Sequence, residues 1–291
     1  MEFSRKNNGG HFTATPKRSH STSRLVTFFL LVALFTSSFC YTLKVTAFSA
    51  KQVSQILTQD KYVKQLHSSL NTYLASTAKQ YSIPSALTQN LLTDSQVKSD
   101  LKTAVENAYA GKTAIFETNK IKNQVKTNLD KKAQSIGLST DNLIYQTAQS
   151  TLLSSLDGSL DQALNPQELQ QKVQQLTSLR QINSLILMIA LGLSLLLLVL
   201  LLILERNFFG WLHYLGIAAI YTALLLLVVN FLFKQVVANL DFAQISSQVN
   251  IDLNGLANSF IQLIINQANQ LMIVWLVVAI VGIVAGLLRR R

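Results

Sequence analysis

Charge is what this sequence most lacks. Asp, Glu, Lys and Arg make up 13% of its residues, about half of the roughly 25% usual in soluble domains. The deficit is local: residues 25–43, 185–204, 211–233 and 271–288 contain no Asp, Glu, Lys or Arg. Cysteine is nearly absent too. Cys40 stands alone, which excludes an intrachain disulfide. No Asn-x-Ser/Thr acceptor sequence occurs, and no stretch keeps the polar–apolar alternation of a half-buried strand. Catalytic patterns are equally missing. Of the histidines, His11, His20, His67 and His213, none pairs with another at the i,i+4 spacing of a helical metal site. Gly9-Gly10 lies in a polar tail rather than in a phosphate loop. The acids Asp60, Asp94, Asp100, Glu106, Glu117, Asp130 and Asp141 are scattered. The sequence therefore offers no nucleophile with a base, no metal cluster and no paired carboxylates. No enzyme, cofactor or metal is expected. The charge-free runs also argue against an ion-coupled carrier, which buries at least one ionisable group in its spans.

What is present is hydrocarbon: 49% of residues are hydrophobic and mean hydropathy is +0.30. Each charge-free run has the length a helix needs to cross a core of roughly 30 Å. Backbone groups in lipid must bond internally, so the runs are expected to be helices. The first follows a basic flank (Arg5, Lys6, Lys17, Arg18, Arg24) and is expected to be a signal anchor. A cleaved signal peptide, with Ala47 and Ser49 at its cleavage site, is the alternative. Against it stand a 24-residue leader and an apolar run longer than the usual ~7–15. Cys40 follows Phe39 rather than a small residue, so a buried thiol is expected there, not a lipidated one.

Net charge is +11. In a soluble protein that excess suggests nucleic acid, but here much of it flanks the spans, the basic leader at one end and Arg289, Arg290 and Arg291 at the other. No nucleic-acid partner is expected. Positive charge near short loops sets orientation. The expected organisation is a cytoplasmic, disordered basic tail at 1–24 and a first span at 25–43. An extracytoplasmic helical domain at 44–183 and a second span at 185–204 follow. Residues 205–210 then form a cytoplasmic turn, 211–233 a third span, 234–270 an extracytoplasmic amphipathic loop, 271–288 a fourth span, and 289–291 a cytoplasmic end. The pair Glu205-Arg206 reads as an interfacial turn, beside an aromatic belt of Phe208, Phe209, Trp211 and Tyr214.

The 44–183 segment reads as helical throughout, giving an all-α fold. Val53 to Tyr81 carry apolar residues at spacings of three and four, and Pro84 interrupts. Thr93 and Gln96 form a capping box; Gly111 and Gly137 offer helix stops. Asp141 is expected to cap a further helix, and Asp157-Gly158 to turn. Asn165 reads as a cap with Pro166 in the first helical position. Neither Gly nor Pro follows until Gly192, so one helix is expected to run from 166 to 204. It carries an apolar seam of Leu169, Val173 and Leu176.

Three groups of residues stand out as candidate sites. Lys120, Lys122, Lys126, Lys131 and Lys132 face only Glu117 and Asp130, a basic helix face suited to an anionic envelope polymer, lipid headgroups or an acidic partner, or simply to water. Asn254, Asn258, Gln262 and Asn266 recur every four residues. They form a carboxamide stripe that suits either helix-to-helix bonding or the wet side of an interfacial helix. Gly282 and Gly286 form a GxxxG spacing that permits close helix contact, within the chain or between copies in a homo-oligomer. Asn230 is placed to bond a neighbouring span.

An amino-terminal anchor, a helical insert containing TDSQVKSDLKTAVENAYAGK and three later spans together resemble the small polytopic membrane proteins of Gram-positive bacteria that have no assigned activity. The resemblance implies a cell-membrane location and transfers no chemistry. The expected role is non-enzymatic. The extracytoplasmic domain would bind a protein partner or an anionic envelope component, as an assembly factor, scaffold or accessory subunit. A sensor working through the 166–204 helix, and an oligomeric permeation or lipid-handling protein, are the alternatives.

Overall fold

The computed structural model describes residues 20–238 and 252–289. The expectations for most of the basic tail, for the middle of the 234–270 loop and for Arg290 and Arg291 lie outside these residues. Among the described residues the fold is entirely helical. In order the helices are α1 (His20–Val45), α2 (Ala50–Leu57), α3 (Asp60–Gln80), α4 (Ser85–Thr88), α5 (Asp94–Tyr109), α6 (Thr118–Ser135), α7 (Leu143–Leu156), α8 (Ser159–Leu164), α9 (Gln167–Glu205), α10 (Phe208–Ala238) and α11 (Leu253–Arg289). Four of them, α1, α9, α10 and α11, are long and apolar enough to cross a membrane.

These four form a bundle in which α1 and α10 each touch the other three, and α1 is the most buried of the four. One face of α1 explains this position. Val26, Leu30, Ala33 and Leu34 are buried there and pack with Leu197, Leu201 and Ala218. The same helix buries five hydroxyls, those of Ser23, Thr27, Ser37, Ser38 and Thr42, and Thr46 just past its end buries a sixth. Hydroxyls in an apolar setting need partners. Thr27, Ser38 and Thr42 donate to carbonyls one turn back, at 2.7–2.9 Å. Ser38 also accepts from the indole N–H of Trp275 on α11 at 2.9 Å. Small hydroxyl-bearing residues let helices approach, and they join helices where hydrophobicity alone gives no preference over lipid. Other cross-helix bonds tie the bundle: Trp211 Nε1 to the Leu198 carbonyl (2.9 Å), Asn230 Nδ2 to Asn269 Oδ1 (2.9 Å) and Asn183 Nδ2 to the Cys40 carbonyl (3.0 Å). Cys40 is itself buried.

The turn between the second and third spans is shorter than 205–210. Helix α9 runs through Glu205, Arg206 takes a left-handed conformation (φ 48°), and Asn207 Oδ1 accepts the Phe209 N–H at 3.0 Å as α10 begins. Glu205 is only 5% exposed. It is the buried last residue of a helix, not the exposed turn residue that its neighbour Arg206 makes it resemble in the sequence.

The insert between the first and second spans packs α3, α5, α6 and α7 around Leu74, Leu91, Leu92, Ile121, Leu129, Leu152 and Leu156. Its Thr93–Gln96 capping box forms, and Gly111, Gly137 and Gly158 all take positive φ where helices end. Three local expectations change. The apolar run from Val53 to Tyr81 is two helices, because Gln59 is extended (ψ 142°) and redirects the chain. Asn142, not Asp141, caps α7, its Oδ1 accepting the Ile144 N–H at 2.8 Å. Asn165 does not cap α9. Its amide accepts the Ile115 and Phe116 N–H groups (2.9 and 2.8 Å) and donates to the Phe116 carbonyl (3.0 Å), and α9 starts one residue after Pro166.

The 166–204 helix is continuous, as its residues predict: α9 spans 39 residues, close to 60 Å at 1.5 Å per residue. Val173 and Leu169 pack it onto Ala104 and Ile115 of the insert. Further bonds fasten the insert to the bundle. Tyr109 donates to the Ala47 carbonyl, and Arg180 Nη1 to the Tyr109 carbonyl at 2.8 Å. Lys61 pairs with Asp252 at the head of α11, and Gln65 Oε1 accepts the Asp252 N–H at 3.2 Å.

Candidate functional site

The sequence-selected lysines all lie on α6, but they are not an open cationic face. Lys120 pairs with Asp100 at 2.8 Å, Lys122 with Asp157, and Lys126 with Asp130 at 3.4 Å. Lys132 donates to the Gln89 carbonyl. Lys131 is exposed and makes no ion pair among the described residues. Most of the charge is thus balanced inside the domain, by acids the sequence leaves scattered.

The carboxamide stripe falls on the outside of α11, where Asn258, Gln262 and Asn266 are exposed and Asn254 is half-buried. Asn269, off the stripe, makes the interhelical bond to Asn230. The glycines find partners within the chain. A Cβ built on Gly216 of α10 would lie 2.7 Å from the Gly282 Cα, and one on Gly282 would lie 2.6 Å from the Leu212 carbonyl oxygen. One on Gly286 would strike the His213 ring. The GxxxG spacing therefore seats α11 on α10.

Two polar residues that sequence reasoning passed over organise the domain. Asn71 is buried and satisfies both backbone groups of Leu92, accepting its N–H at 2.9 Å and donating to its carbonyl at 3.1 Å. His67 Nε2 lies 2.7 Å from the same carbonyl. Their partner is 21 and 25 residues away, so no local spacing marks them.

The surface that stands out lies where α6 hands over to α7. Ile136, Leu143 and Ile144 are 54%, 76% and 80% exposed, beside a core whose leucines are fully buried. The local chain explains it. Gly137 (φ 77°) ends α6, and Leu138 folds back, its N–H bonded to the Ala133 carbonyl at 2.8 Å. Ile136 is left outside. Asn142 then starts α7 in a register that buries Tyr145, Leu152 and Leu156 and leaves Leu143 and Ile144 facing outward.

Beneath this edge the two helices are cross-braced. Tyr145 donates to Asp130 Oδ1 at 2.5 Å, and Gln149 Nε2 donates to the same oxygen at 2.5 Å. Burial alone would raise the Asp130 pKa. The bonds from Tyr145 and Gln149 and the charge of Lys126 outweigh it and hold the carboxyl below its ordinary value. Burial and the bond to Asp130 push the Tyr145 phenol well above its ordinary range. The arrangement presents three large aliphatic side chains on a rigid support, which suits docking and offers no reacting group. Comparison with protein-family models, with curated proteins and with solved structures found no match.

Proposed function

We propose that the chain is a non-enzymatic integral protein of the cell membrane that presents its helical insert outside the cytoplasm to dock a protein partner, as a scaffold, assembly factor or accessory subunit. The apolar edge of Ile136, Leu143 and Ile144 carries this reading. Large aliphatics left exposed where two helices of a well-packed domain meet are unfavourable in water and mark candidate interaction sites. Both termini then lie in the cytoplasm, supported by the basic residues around the short segments on that side. The first span stays uncleaved, supported by the burial of α1 in the bundle.

Photo-crosslinking in cells from position 144, with a second probe at Lys126, tests the docking surface. A discrete protein adduct from position 144, lost in Leu143→Asp without a change in thermal stability, is expected. Adducts to lipid or cell-wall polymer alone, or from Lys126 alone, would replace the protein partner with an anionic envelope component. A sensor is the second reading, favoured by the unbroken α9 that joins the insert to the bundle.

A further inference from the structure

At the end of the bundle nearest the α9–α10 turn, a cleft of about 690 Å³ lies between α1 and α10, within the size range of ligand sites. Its lining is sorted along its length. Arg24, Thr27 and His213 stand at the end near the turn; Leu31, Ile217 and Leu225 line the deeper part. From His213 to Leu225 the α-helical rise gives about 18 Å, close to one leaflet of a hydrocarbon core, about 15 Å. Phe28 and Tyr221, also in the lining, are more than half exposed, so the cleft opens sideways toward the hydrocarbon surface of the bundle.

We propose that this cleft holds one anionic glycerophospholipid, its phosphate on Arg24 and an acyl chain along Leu31, Ile217 and Leu225. Three observations point to that occupant. The lining contains a cation and no carboxylate, so it complements a phosphate but has nothing to pair with the amine of a zwitterionic headgroup. Arg24 makes no ion pair among the described residues, and a guanidinium is the side chain best matched to phosphate oxygens. The His213 ring, for which Gly286 leaves room, packs its Nδ1 against that glycine of α11, buried and without a hydrogen-bond partner, so the guanidinium of Arg24 is the group left to meet a phosphate. Polar groups sit at headgroup level and hydrocarbon at chain level, as an amphiphile requires. The site is separate from the α6–α7 edge and stands whether or not that edge docks a partner.

Native mass spectrometry of the full chain in detergent, titrated with phosphatidylglycerol or phosphatidylcholine of matched chains, tests the site. Retention of phosphatidylglycerol over phosphatidylcholine is expected, with the preference falling about fivefold in Arg24→Gln, as removal of one cation at a headgroup implies. Arg24 is exposed, so this variant keeps its fold; unchanged thermal stability checks that. Ile217→Trp fills the cleft without changing charge and should lose the bound lipid as well. Equal retention of the two lipids, an Arg24→Gln variant that binds as before, or displacement of the lipid by millimolar inorganic phosphate would each overturn the proposal.

Discussion

At the scale of single residues, the bundle rests on places where a side chain is missing and the insert on places where one amide serves two backbone groups. Gly216 and Gly282 bring two helix backbones into contact, so Gly282→Ala must push α11 off α10. Overpacking of this kind costs about 1–3 kcal/mol, and a lower melting temperature in detergent is expected. Asn71→Ala strands the buried N–H of Leu92, whose carbonyl keeps His67 as a partner, a cost of about 1–3 kcal/mol; the same melting assay reads it. Tyr109 makes a pH prediction. Burial, opposed by the charge of Arg180, raises its phenol to about 12 from the ordinary 10. The folded chain thus holds this proton more tightly than the unfolded one. The Tyr109–Ala47 fastening is intact below pH 10 and is lost as pH climbs through about 12. Spin labels at Lys102 and Leu179 should show a distance distribution that broadens over that window in the parent protein. In Tyr109→Phe the window should vanish.

At the scale of elements, the continuity of α9 is the feature with the most consequence. Two glycines inserted after Asn183 should broaden the distance between a label on the insert and one on α10, and should abolish any signal passed from insert to bundle. An insertion that leaves the distance sharp would remove the sensor reading. Continuity was legible beforehand because no Gly or Pro intervenes, and the four spans were legible because they carry no charge. The Thr93–Gln96 box was legible because its two partners are three residues apart. Other features were hidden for physical reasons. The break between α2 and α3 has no Gly or Pro to announce it. Asp141 and Asn142 are adjacent residues of similar capping strength, and only the packing of Tyr145 selects the register. Asn165 looks like a cap because it precedes Pro166, but its amide is held by residues some fifty positions earlier. The hydroxyl face of α1 disappears into an apolar average, since serine and threonine bonded to their own helix cost little there. In the sequence Leu143 and Ile144 are ordinary apolar helix residues; their exposure follows from tertiary register alone.

At the scale of the whole molecule, the insert and the bundle form one fastened body, joined through α1, α9 and α11 at separate points. If the proposed orientation holds, a cysteine at Asn207, placed in a Cys40→Ala background, reacts with a membrane-impermeant maleimide only after the cells are opened. One at Ile144 reacts in intact cells. The reverse pattern would invert the topology and place the insert in the cytoplasm.

The burial of α1 also bears on how the protein is made. It leaves the ribosome first, yet the next helix of the bundle begins with Gln167, some 120 residues later. At ~5–20 residues per second, α1 waits in the bilayer for about 6 to 24 s before α9 can join it. Through that interval the face that will be buried in the bundle meets only lipid. Thr27, Ser37, Ser38 and Thr42 bond to carbonyls of their own helix, and Thr46 just past its end bonds back to Thr42, so most of the hydroxyls on this face have partners before any neighbour arrives.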